Sequence, residues 1–231
     1  MSAVLGIDTA TPAVAVALTR DGEPADERVV AARAGRPQHT SALLPEAEVI
    51  VERAGGWGAV DLIGVGVGPG SFTGLRIGVA TARALAQGLG KPVVPVGSLA
   101  ALARGIGGYP LAAGRSRLAV IDARRKQVFA ALFADGEEVS PPFVASVHEL
   151  CDRVASLDRP PLAVGDGAIR FRRELEAAGV EVPADGDEAH RISARHVCLL
   201  AEAGRPAPPD SIRPIYLRPP DAKLWLERDR R

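Results

Sequence analysis

Cysteine is nearly missing from this chain. There are 2 in 231 residues, Cys151 and Cys198, too few and too far apart for a zinc site or for the disulfide framework of a small secreted domain. Two small buried hydrophobes are the expectation. Aromatic residues are scarce too, at 4%, so a sequence that is 47% hydrophobic must build its core mainly from aliphatic side chains and alanine. Neither sign of charge is in excess: 28 Lys and Arg against 28 Asp and Glu give a net charge of +0. A protein that grips nucleic acid unaided carries a basic surplus to displace counterions, so any RNA is expected to be held mostly by something else. No apolar run approaches the ~20 residues a membrane helix needs. The opening Met1-Ser2-Ala3-Val4-Leu5-Gly6-Ile7-Asp8 has no basic lead and meets an acid at once, unlike a signal peptide. A cytoplasmic protein with no membrane partner is the expectation.

Catalytic signatures are also missing. His39, His148, His190 and His196 form neither His-x-x-x-His nor His-Glu-x-x-His, the spacings that put two metal ligands on one helical face, so no metal is expected. Ser71 sits in Pro69-Gly70-Ser71-Phe72-Thr73 and fails the Gly-x-Ser-x-Gly pattern of a hydrolase elbow. The same stretch is no P-loop, since Gly70 and Gly74 are too close and Leu75 stands where the lysine belongs. Ser71 or Thr73 reads better as a helix N-cap. No residue is assigned a catalytic role.

The chain does carry a repeated arrangement. Val4–Ile7 and Ala13–Leu18 are short apolar runs ending in turn residues, with a third strand over Arg28–Ala31. Leu43, Leu44, Ala47, Ile50, Val51 and Ala54 recur at helical spacing, and Pro45 belongs in that helix's opening turn. Leu62–Val67 is a buried strand leading into Gly68-Pro69-Gly70-Ser71-Phe72-Thr73-Gly74. A helix follows over about 75–89, then a strand over Pro92–Val96 and a helix capped by Ser98. The beginning then recurs: Val4–Asp8 corresponds to Leu118–Asp122 and Asp21-Gly22-Glu23 to Asp135-Gly136-Glu137, at offsets 122 − 8 = 114 and 135 − 21 = 114. Val14 falls on Val128 and Leu18 on Leu132 at the same offset, and Leu162–Gly167 echoes the strand that enters the Gly-rich loop. Two such units predict an α/β protein of duplicated actin-like, sugar-kinase-like (ribonuclease-H-like) fold, with mixed sheets in two lobes, 1–108 and 109–231, the second ending in an extended tail.

Nucleotide-using proteins of that fold hold phosphate on the first turn of each lobe, with a glycine that lets backbone N–H groups approach. Here the turns read Asp8-Thr9-Ala10-Thr11 and Asp122-Ala123-Arg124-Arg125-Lys126, without the glycine. A working kinase or ATPase cleft is not expected and no cofactor is implied. Guanidinium groups suit phosphate, so weak nucleotide binding at Asp8, Thr9, Arg124 and Arg125 is one reading, and solvated turns are the other. In the long helix Gly74, Gly78 and Ala82 lie four apart, as do Ala80, Ala84 and Gly88. Small residues at this spacing let another backbone approach closely. One strip is needed for the protein's own sheet, and the second predicts a further neighbour.

The block Gly68–Gly78, then Ala82-Arg83-Ala84-Leu85 and Lys91-Pro92-Val93, resembles the TsaB (YeaZ) family. So do Gly6-Ile7-Asp8-Thr9-Ala10, Ile121-Asp122-Ala123-Arg124 and Pro214-Ile215-Tyr216-Leu217-Arg218. Residues 140–205 carry little of the resemblance. It implies an accessory subunit that pairs with TsaD, a catalytic paralogue of the same fold. TsaD, with the ATPase TsaE, transfers a threonylcarbamoyl group from an adenylate donor to the adenosine beside the anticodon of tRNAs reading codons that begin with A. TsaD's metal motif His-x-x-x-His corresponds here to Ser98-Leu99-Ala100-Ala101-Leu102. The resemblance places the partner interface on a bundle of first-lobe helices, which maps to Leu43, Leu44, Ala47, Gly74, Arg76, Ile77, Gly78, Thr81, Ala82 and Leu85. It implies that tRNA is met only through the complex. A homodimer using the same face, or a glycoprotease-like hydrolase, is the alternative.

Overall fold

The computed structural model describes residues 2–106 and 114–218. The expected lobe boundary at 108/109 and the charged tail Asp221–Arg231 lie outside the described residues. The first half runs β1 (Ala3–Asp8), β2 (Val14–Arg20), β3 (Glu23–Val30), α1 (His39–Arg53), β4 (Leu62–Gly68), α2 (Phe72–Leu89), β5 (Val93–Gly97) and α3 (Ser98–Arg104). The second runs β6 (Arg117–Arg124), β7 (Gln127–Ala134), β8 (Glu137–Ser146), α4 (Val147–Ala155), β9 (Leu162–Val164), α5 (Asp166–Arg170), α6 (Arg172–Ala177) and α7 (Ala194–Ala203).

The two sheets have matching orders, β3-β2-β1-β4-β5 and β8-β7-β6-β9. In each, an antiparallel meander is followed by a strand parallel to its first. An isolated parallel bridge from Glu181 to Leu162 stands where β5 pairs with Ile63 in the first sheet. Both Asp-Gly hairpins, Asp21-Gly22 and Asp135-Gly136, place aspartate and glycine at positive φ, as tight hairpin turns require.

Three apolar cores follow from strand alternation. Leu5, Ile7, Val14, Val16 and Leu18 face α1 and α2, and Leu118, Val120, Val128 and Ala130 face the helices α4 to α6. Between the sheets, Val4, Ala15 and Ala17 share a core with Ala119, Ile121, Phe129 and Ala131, filled by α3 and α7. Helix α7 comes from the second half of the chain yet packs on β1, β2 and β4. It can do so because the strands offer Gly6 and Gly64: a β-carbon on Gly64 would stand 2.7 Å from Ala201 Cβ, and one on Gly6 2.6 Å from Cys198 Sγ. Cys198 is fully buried there, and burial pushes its thiol up to about 12.

Three local expectations change. Strand β3 is longer than Arg28–Ala31, because pairing with β2 extends it back to Glu23. Helix α1 begins at His39, so Pro45 lies past its first turn. The constant offset of 114 does not carry through both strands. Asp8 pairs with Ala15 but Asp122 with Val128, one residue short of the match, because the β6–β7 turn is shorter. A one-residue slip moves side chains to the other face, so Leu5 faces outward while Ala119 faces between the sheets.

Candidate functional site

The site is the end of the cleft between the sheets, where β1, β4 and β6 finish. Strand β4 leads through a cis Gly68–Pro69 bond to Ser71, whose side chain accepts a hydrogen bond from Gly74 N and so caps α2. Asp8 N-terminally caps its own turn by accepting from Ala10 N at 2.8 Å, and Asp122 repeats this with Arg124 N at 2.9 Å. The surroundings of the two aspartates then diverge. Asp8 is buried and accepts from Ser98 Oγ at 2.7 Å, and burial raises its pKa above the ordinary carboxyl value. Ser98 is therefore the support of Asp8, while Gly97 stands at the cap position of α3. Asp122 instead accepts from Arg170 of α5 and pairs with Arg124 at 3.4 Å. Asp166 accepts from Asp122 N at 3.0 Å, and burial raises its pKa.

A cavity of about 400 Å³ lies between these turns, lined by Thr11, Ser71, Phe72, Asp122, Arg124, Asp166, Tyr216 and Arg218 among others. Residues 215–218 form one wall. Ile215 N donates to Val67 O at 2.7 Å, Arg76 Nε donates to Tyr216 Oη at 3.2 Å, and Arg218 donates to Gln127 Oε1 at 3.1 Å. The Tyr216 and Phe72 rings are 4.8 Å apart, with the Arg76 guanidinium 3.9 Å over Phe72. Of the four residues named from the sequence as nucleotide contacts, Arg124 lines the cavity and Arg125 stands exposed on the turn. Asp8 and Thr9 are buried inside the chain, and Thr9 Oγ1 donates to Gly74 O at 2.8 Å. Asp166, Arg170 and Tyr216 were not picked out as site residues by the sequence, because what brings them here is strand order and not a local pattern. No group of three or more His, Cys, Asp or Glu among the described residues could hold a metal ion.

The residues named for the partner interface separate into two sets. Leu43, Ala47, Gly74, Gly78 and Ala82 are buried against the chain itself. A β-carbon on Gly78 would collide with Thr9 Oγ1, and one on Gly74 would stand 2.8 Å from His39 Cε1. These five thus pack within the chain's own first-half core and are not presented to a partner. Leu44 is 49% exposed, Arg76 is exposed, and Ile77, Thr81 and Leu85 are half-buried. The second strip, Ala80, Ala84 and Gly88, is open to solvent. Glu46 and Arg53 reach back to Arg28 and Asp26 on β3, so the other flank of α1, carrying Leu44, is the one beside α2. Along that border Ile77, Thr81, Ala84 and Gly88 follow at spacings of four, three and four, the seam of a helix that packs against another helix.

The matched sheets and central helices define a protein of the duplicated actin-like class. The ROK hexokinase of Thermus thermophilus shares this fold at TM-score 0.54 and 16% identity, over 87% of this chain and 99% of that one. The family model described as TsaD, tRNA N6-adenosine threonylcarbamoyltransferase, matches residues 30–195. The tRNA threonylcarbamoyladenosine biosynthesis protein TsaB of Escherichia coli is 30% identical over 227 residues, covering 93% of this chain and 94% of that protein. An uncharacterised protein of Mycobacterium tuberculosis is 37% identical over 96% of this chain and 95% of its own length. The structure of YeaZ from Pseudomonas aeruginosa superposes at TM-score 0.76 with 28% identity, over 94% of this chain and all of that one (100%). The chain belongs to the TsaB (YeaZ) family.

Proposed function

We propose that this chain is a non-catalytic subunit in the biosynthesis of threonylcarbamoyladenosine in tRNA, joined through the exposed border of α1 and α2 to a TsaD-type catalytic subunit. The observation that carries the reading is the outer border of α2. Its counterpart, Gly74, Gly78 and Ala82, is consumed by the chain's own packing, while Ile77, Thr81, Ala84 and Gly88 form an uncharged seam beside exposed Leu44. Ala84 and Gly88 are small and exposed, so the seam admits another helix at close range. The cleft supports an accessory role. A phosphate-binding turn needs open backbone N–H groups, but Ala10 N is engaged by Asp8 and Arg124 N by Asp122. The names of the TsaB relatives supply the pathway. In this reading a TsaE-type ATPase joins the pair, and tRNA is bound chiefly by the catalytic subunit.

The test is co-expression with a TsaD-type protein followed by size-exclusion chromatography with light scattering, for wild type and Ala84→Arg. Ala84 is exposed, so the variant is expected to fold normally and to lose the heterodimer. A wild type that forms only homodimers favours the two-fold alternative. A variant that still forms the heterodimer contradicts the interface.

A further inference from the structure

The net charge of the chain is +0, yet one end of the second sheet concentrates cations. The β6–β7 turn carries Arg124, Arg125 and Lys126 in succession, all exposed. Arg170 converges with Arg124 on a single carboxylate, Asp122, and Arg218 is held against Gln127 at the start of β7. Five cations therefore gather at this end of the sheet, two of them, Arg124 and Arg170, on Asp122.

The backbone of the turn sharpens the point. Arg124, Arg125 and Lys126 have φ of 63°, 52° and 60°, the left-handed region that side chains bearing a β-carbon disfavour. At the β2–β3 and β7–β8 turns the chain places Asp-Gly, the residues that accept this conformation readily. Three long cationic side chains kept on strained backbone are an outlier from which a function is inferred. Only Arg124 and Arg218 line the cavity, whereas Arg125 and Lys126 lie on the open turn beyond it. The charge thus extends past any small ligand the cavity could take. On the near side the band continues into the Tyr216 and Phe72 rings and Arg76. Guanidinium and ammonium groups beside the exposed Tyr216 ring suit a nucleic-acid strand, with phosphates on the cations and a base or ribose against the ring.

We infer that the β6–β7 turn, with Arg170 and Arg218, is a contact surface for the sugar–phosphate backbone of tRNA, so that this subunit adds its own share to RNA binding by the complex. The inference rests on the proposed pairing with a TsaD-type subunit.

The test compares wild type with the double variant Arg125→Asn/Lys126→Asn. It removes two charges, leaves the Arg124–Asp122 pair intact, and places at both positions a residue that tolerates positive φ, so the fold is preserved. The affinity of the two-subunit complex for an unmodified tRNA transcript is measured over a salt series, with light scattering on the same samples. Losing two phosphate contacts lowers the slope of log affinity against log salt by about 1.5 and the low-salt affinity by about tenfold. Complex formation should be unchanged. A slope and affinity equal to wild type, with the complex intact, overturns the inference and leaves the proposed function standing. Unchanged tRNA binding with loss of AMP binding by the isolated chain also overturns it and makes the turn a small-anion site. A wild type that forms no complex with the partner overturns both.

Discussion

Gly78 and Gly88 sit in the same helix, ten residues apart, and replacing each by alanine should shift stability in opposite directions. Alanine is better than glycine in a helix interior by about 1 kcal/mol. At Gly88 a new β-carbon meets nothing within 4 Å among the described residues, so the gain is realised and Gly88→Ala should melt up to about 3 °C higher for a chain of this size. At Gly78 the same carbon runs into Thr9 Oγ1, whose hydroxyl donates to Gly74 O at 2.8 Å and whose residue is 0% exposed. Overpacking costs about 1–3 kcal/mol and disturbing that hydrogen bond about 1 kcal/mol. After the helix gain is subtracted, Gly78→Ala should be less stable by about 1–3 kcal/mol, a fall of roughly 3–10 °C. Thermal unfolding followed by circular dichroism reads both. If Gly78→Ala is as stable as Gly88→Ala, the inward strip has been misassigned, and with it the claim that the outward strip is the free one.

Two further predictions concern pH. Burial holds the Asp8 carboxyl above its ordinary 3.8, so the folded chain keeps a proton that the unfolded chain releases, and this contribution to stability is lost as pH rises above about 4. Asp8→Asn should gain on wild type as pH climbs from 4 to 7 in urea titrations, and a difference that moves the other way refutes the burial argument. His196 behaves oppositely. Burial first, then Arg195 and Arg104, lower it to about 4 from 6.5, and its Nδ1 has no hydrogen-bond partner among the described residues. The unfolded chain binds the proton first as pH falls, so stability drops between 6.5 and about 4. His196→Gln should flatten that limb, and an unchanged slope would show that His196 is accessible in the folded state.

Much of this architecture was readable from residue order. The Gly-Pro-Gly-Ser loop and the Asp-Gly hairpins are local signals and fall where the sequence placed them, and of the two caps it offered, Ser71 and Thr73, the structure uses Ser71, so α2 begins at Phe72 and not near residue 75. The recurrence of Val4–Asp8 in Leu118–Asp122 gave the duplication, which the matched strand orders bear out. The inward strip of α2 was not readable, because both strips consist of small residues and the choice is made by Thr9 and His39, far away in sequence. Nor was the divergence of Asp8 and Asp122. Both turns open with aspartate, but the partner that sets each one apart, Ser98 for Asp8 and Arg170 for Asp122, comes from 90 and 48 residues away in sequence. Ser98 looked like a helix cap because serine caps helices, whereas the buried Asp8 beside it is a stronger claimant for its hydroxyl.

The most direct test of the account is reconstitution of tRNA threonylcarbamoylation from a TsaD-type subunit, a TsaE-type ATPase, a threonylcarbamoyl-adenylate donor and unmodified tRNA, with and without this chain. The account predicts that modification requires the chain, that Ala84→Arg abolishes it, and that the chain with donor and tRNA alone modifies nothing. Modification by this chain in the absence of the TsaD-type subunit, or full modification without this chain, would contradict it.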